Sequence, residues 1–156
     1  REALAITPDL PTARYNLGRV LEAREQLAQA VQMYQAELST NPRHGRAHLR
    51  LAQILKRQGD HAGYVDRLRR GVEQAPESGG CYFLLAHEQL RAGDAEDALR
   101  LARRGLELEP ASELSPLGHY VLADVYRSRG QAALASAEVA RARRLEAASG
   151  RRPGSD

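Results

Sequence analysis

The chain has 156 residues, of which 42% are apolar and 28% charged, enough for one compact domain or one short repeat array with its own core. No apolar run approaches the ~20 residues of a membrane-spanning helix, and Arg1–Ile6 lacks the apolar stretch of a signal peptide. Net charge is +3, with 23 basic and 20 acidic residues interspersed, which argues against a dedicated nucleic-acid surface. Ala and Leu dominate the apolar set, with no Trp, one Phe and one Met, a composition that suits close-packed helices better than strands. Cys81 is the only cysteine, so no internal disulfide can form; this fits a reducing compartment and favours the cytoplasm.

Pro8, Pro42, Pro76 and Pro110 follow one another at a pitch of 34 residues, and the elements between them repeat at the same pitch. Taken in chain order, segment 1–10 comes first. Its Ala3–Pro8 parallels Leu106–Pro110, so it is expected to be the tail of a truncated preceding repeat, and the chain to be a C-terminal fragment of a larger protein. Repeat 1 spans 11–44: Leu17 and Leu21 share a helix face, Gly18 lets a second helix approach, Glu25-Gln26 marks the turn, and Ala30 and Tyr34 lie on the second helix. Repeat 2 spans 45–78, with Leu51, Ala52 and Leu55, a Gly59-Asp60 turn, then Tyr64 and Leu68. Repeat 3 spans 79–115, with Leu85, Ala86, a Gly93-Asp94 turn, Ala98 and Ala102. At both Gly-Asp turns, Gly ends one helix in the left-handed region and Asp caps the next. Asp97 suggests a capping box with Asp94, and Gly79-Gly80 reads as a flexible lead into a helix. Three extra residues fall within Ala111–Pro116, after which the register resumes in repeat 4 (116–148) with Leu122, Ala123, Tyr126, Gly130, Ala135 and Val139. The Gly/Pro/Arg segment 149–156 reads as a disordered tail.

This pattern resembles the tetratricopeptide repeat: a Leu followed by a small residue, then Leu or Tyr, Gly-Asp at the turn, Ala or Tyr, a bulky residue and a terminal Pro. The match covers four units, about Pro11 to Ala147. The large aromatic usual early in the first helix survives only as Tyr82; Arg14, His48 and His119 stand at the other three places. The first and fourth units lack the Gly-Asp pair and are expected to be less stable, not differently folded. The resemblance implies an all-α fold, a right-handed alpha-alpha superhelix of antiparallel helix hairpins with a concave groove lined by the first helix of each unit. Carried onto this sequence, the groove positions are Tyr15, Arg19, Glu22, Leu49, Gln53, Lys56, Arg57, Phe83, His87, Arg91, Tyr120, Asp124 and Arg127. The residues that chaperone-tail-binding members use as a carboxylate clamp are absent: the corresponding places hold Tyr15, Arg19, Arg50, Phe83 and His87.

Catalytic and metal constellations fit poorly. His44 and His48 lie four apart, but no third ligand joins them at suitable spacing, and His87-Glu88 has no second His four residues after the first. No phosphate loop or Gly-x-Ser-x-Gly is present, no cofactor is implied, and Cys81 reads as an inert packed thiol. The expectation is a non-enzymatic scaffold that holds a protein or peptide with apolar anchors and some acidic residues. An appendage that recruits substrates for an upstream sulfatase-like or transferase domain is the alternative. RNA binding is disfavoured, because Arg19, Gln53, His87 and Asp124 share a column without sharing a charge.

Overall fold

A computed structural model describes residues 12–150 and contains eight α-helices: α1 (Ala13–Ala23), α2 (Leu27–Thr40), α3 (Gly45–Arg57), α4 (His61–Gln74), α5 (Gly79–Arg91), α6 (Ala95–Leu108), α7 (Ser115–Ser128) and α8 (Ala132–Ser149). No strand occurs among the described residues. The expected remnant at 1–10 and residues 151–156 of the expected tail lie outside them. Consecutive helices pack as hairpins, α1 with α2, α3 with α4, α5 with α6, and α7 with α8. The chain divides into two compact units at Pro76/Glu77, with two hairpins in each.

The turns follow from local chemistry. Gly59 (φ 81°) and Gly93 (φ 89°) adopt the left-handed conformation that ends α3 and α5. Asp60 then accepts a hydrogen bond from the Gly63 N–H at 2.8 Å, and Asp94 one from the Asp97 N–H at 3.0 Å, which caps α4 and α6. The capping box suggested for Asp97 does not form. Its carboxylate accepts from Gln89 Nε2 at 2.8 Å and pairs with Arg100, while the Asp94 N–H donates to the Gln89 carbonyl. In the first hairpin Glu25 takes the glycine's place at φ 58°, a conformation that costs a residue with a side chain about 1–2 kcal/mol. Pro42, Pro76 and Pro110 each lie two residues beyond the end of a second helix.

In unit 1, α2 also packs on α3, and one cluster of Tyr15, Leu21, Ala30, Tyr34, Leu38, Ala47, Leu51 and Ile54 forms the core. Gly18 is small for a clear reason. A Cβ there would lie 2.6 Å from Tyr34 Cε1, so α1 and α2 close around the tyrosine ring. His48, at a place where the family carries an aromatic, is fully buried. Its Nε2 lies 2.8 Å from the Pro42 carbonyl, which fixes Nε2 as the donor, and Nδ1 has no partner. Burial, opposed by the Pro42 bond and reinforced by Arg67, His44 and Arg70, holds the ring below the usual histidine range. A histidine kept neutral in the fold and free to protonate when unfolded removes stability as pH falls through the unfolded value of about 6.5. Urea midpoints of the wild type and of His48→Phe should therefore diverge between about pH 7.5 and pH 5, with the wild type losing more. Parallel pH profiles would refute the assignment.

In unit 2, α6 and α5 both pack on α7. Phe83 is fully buried. Added Cβ atoms at Gly105 of α6 and Gly118 of α7 would each fall within 2.7 Å of its ring, so the two glycines form its walls. Gly79 and Gly80 are not a flexible lead: both are buried in the first turn of α5. The Gly79 N–H donates to Glu109 Oε1 at 2.9 Å, and a Cβ at Gly79 would crowd the same side chain. Burial, with the Glu109 charge, pushes the Cys81 thiol up to about 12, as expected of an inert packed cysteine. The inserted turn is bonded through Ser115, whose hydroxyl donates to the Glu109 carbonyl at 2.6 Å and accepts from the Ser112 N–H at 2.7 Å. His119, at the other histidine-bearing aromatic place, lies 2.6 Å from the buried Glu138 carboxylate, which also pairs with Arg141.

Candidate partner-binding surface

The first helices of unit 1, α1 and α3, present Arg19, Lys56 and Arg57 as exposed side chains, with Glu22, Leu49 and Gln53 half-buried. Tyr15 does not join them. It is buried, its ring 5.8 Å from that of Tyr34 and 4.5 Å from that of His44. Expected to line the groove, it is a core residue, because α2 and the start of α3 close over it.

The charged groups of this face are ordered by the core beneath. Glu22 Oε2 accepts the hydroxyl proton of buried Tyr34 at 2.9 Å. Burial first, then this bond and the carboxylate charge, drive the Tyr34 pKa upward, so the phenol stays a donor. The other Glu22 oxygen lies 3.7 Å from an Arg50 guanidinium nitrogen. Arg57 donates to Glu25 Oε2 at 3.0 Å, across from the end of α3 to the first turn. Arg19, Glu22, Ala23, Glu25, Arg50 and Arg57 line one open depression of about 340 Å³. Lys56 points elsewhere, with Nζ 4.9 Å from the centre of the Tyr64 ring. Arg50, expected only as the occupant of a clamp place, joins the depression, and Glu25 joins it without having been expected. Glu25 belongs to a turn, and the resemblance transfers only helix positions.

In unit 2, α5 and α7 present Arg91, Asp124 and Arg127 as exposed groups, and His87 and Tyr120 as half-buried ones. Phe83 is a second correction: held between Gly105 and Gly118, it offers no surface to a ligand. Buried Glu88 lies 3.6 Å from His87 Nδ1 and 3.7 Å from Arg91, which anchors both near the helix. Tyr120 donates to Glu146 Oε2 at 3.0 Å, turning it towards α8, and this bond is the main cause of its raised pKa. Arg127 pairs with Asp124 and, with Ala132, Val139, Ala140 and Arg143, borders a depression of about 640 Å³ beside α8. That second-helix contribution has no counterpart in the expected groove set.

Among the described residues no three His, Cys, Asp or Glu side chains are placed to hold a metal ion, and no helix is long and apolar enough to cross a membrane. His44 is engaged as the cap of α3, accepting from the Ala47 N–H through Nδ1 at 3.2 Å.

The family pattern described as "Tetratricopeptide repeat" matches residues 12–78. None of the curated proteins matches the sequence. A crystal structure of MamA superposes with a TM-score of 0.67 at 13% identity, covering 96% of this chain and 85% of that one. MamA 41-end from Desulfovibrio magneticus RS-1 gives 0.60 at 19% identity, covering 89% and 77%. A chain of the APC/C hetero-tetramer Cut9-Hcn1 gives 0.68 at 14%, covering 92% of this chain and 27% of that one. At such identities the structural likeness speaks for the fold alone. The family match makes residues 12–78 tetratricopeptide repeats, and the 34-residue pitch through Pro110 and the same hairpin built four times give the described chain the tetratricopeptide-repeat fold.

Proposed function

We propose that the chain is a non-catalytic protein-interaction scaffold that holds a segment of a partner protein against the exposed faces of its first helices. The observation that carries this reading is a division of labour on those helices. Packing consumes Tyr15 and Phe83, while Arg19, Asp124 and Arg127, none of which pairs with a buried group, stand exposed in the columns that family members turn towards ligands. A fold of stacked hairpins supplies broad surface rather than an enclosed cleft, which favours holding over catalysis. The Cut9-Hcn1 hetero-tetramer, in which a similar fold is part of a protein assembly, supports the same direction.

Site-specific photo-crosslinking tests it. A photoreactive residue at Gln53 or Asp124, on first helices, should capture partner protein. The same residue at Arg69 or Arg100, on the exposed sides of α4 and α6, should not. Capture from Arg69 and Arg100 alone would overturn the proposal.

A further inference from the structure

We infer that unit 1 recognises carboxylate side chains, and that its partner is an acidic peptide segment gripped by Arg19, Arg50 and Arg57 between α1 and α3. The inference rests on the scaffold reading and adds the chemistry of the ligand. Three guanidinium groups and two carboxylates line the depression, an excess of one positive charge (3 − 2). The carboxylates are also less available than the count suggests. Glu22, with a side chain only 15% exposed, accepts the Tyr34 hydroxyl through Oε2 and faces Arg50 through Oε1 at 3.7 Å, an ion pair too long to be a hydrogen bond. Arg50 is thus held in place with donors to spare. Arg19 has no hydrogen-bond or ion-pair partner among the described residues. Glu25, 73% exposed, holds Arg57 in a surface ion pair, a kind of contact that contributes little and is easily exchanged for an incoming carboxylate.

The chemistry selects the occupant. A guanidinium presents five donors in a planar fork that fits a carboxylate with two parallel bonds. Arg50 and Arg57 are seven residues apart on α3, about 10 Å along the axis, which is about three residues of extended peptide. A run of acidic residues reaches both, whereas a single carboxylate does not. Glu22 and Glu25 oppose a uniformly charged polyanion such as RNA, while a peptide can place neutral residues opposite them.

The test is fluorescence anisotropy of the full chain with a fluorescein-labelled peptide of alternating Glu and Ser. The wild type should bind saturably at low salt and lose affinity as salt screens the contacts. Arg19→Ala/Arg50→Ala should weaken binding about tenfold or more, and Arg19→Lys/Arg50→Lys, which keeps charge but loses the fork, should fall between. Arg69→Ala/Arg100→Ala carries the same change in net charge and should bind as the wild type does. Circular dichroism melts of each variant separate lost binding from lost fold. Absence of saturable binding to the wild type, equal affinity of the two double-Ala variants, or tighter binding of an oligouridylate than of the peptide would overturn the inference. Such a failure leaves crosslinks from Gln53 and Asp124 standing, whereas crosslinks from Arg69 and Arg100 alone would remove the scaffold reading itself.

Discussion

Phe83→Ala is expected to destabilise unit 2 by about 3–5 kcal/mol, a large share of the 5–15 kcal/mol that holds a typical domain folded. The ring is fully buried, and its walls are two glycines on two other helices. Truncation removes the contacts between α5, α6 and α7 together. Backbone around glycine has no side chain with which to collapse into the space, so most of the cavity should persist. Hydrogen exchange should show lost protection in α5, α6 and α7. A variant whose exchange matches the wild type would refute the packing account. Coupling sharpens the test. Gly105→Ala and Gly118→Ala should each be harmful with Phe83 present, because the new methyl meets the ring, and much less harmful in the Phe83→Ala background. Sites in contact show such non-additivity, and independent sites do not.

Tyr34→Ala is the second large effect, with an expected loss of about 3–5 kcal/mol from unit 1. Tyr34 is fully buried, fills the space left by Gly18, and stacks at an angle on Tyr15. Its hydroxyl adds a separate and smaller contribution. Tyr34→Phe keeps the ring and deletes the bond to Glu22, which should cost about 1.5–3 kcal/mol for a hydrogen bond to a charged acceptor. The two variants therefore divide packing from polar contact at one residue. Urea midpoints are the measurement, and equal losses in both would show that the hydroxyl, not the ring, carries the effect. Tyr34→Phe also reaches the surface, because a Glu22 released from the phenol can approach Arg50 more closely and compete with an acidic peptide.

Much of this architecture is legible in the residues alone. The 34-residue pitch places the first three hairpins, and the same columns resumed three residues later place the fourth, because every hairpin closes on the same apolar positions. Gly59-Asp60 and Gly93-Asp94 identify their own turns, since a left-handed backbone and a side-chain cap are local requirements that tertiary structure need not supply. Small residues such as Gly18 announce close helix approach. His48 and His119 fall in a packing column, and both are employed there.

The candidate surface divides differently. Helical periodicity places Tyr15, Leu49, Phe83 and Tyr120 in one column, but periodicity gives direction and not depth. Whether a side chain facing that way meets solvent depends on the helices beside it, and those lie far along the chain. Gly105 and Gly118 leave room for Phe83 and bury it; Tyr34 and His44 close over Tyr15; Tyr120 turns to Glu146 instead. The charge pattern is likewise a tertiary result. Arg50 and Arg57 converge with Arg19, and Tyr34 fixes Glu22 beside Arg50, only once α1, α2 and α3 have packed, because ion pairing reads distances that no spacing along one helix contains.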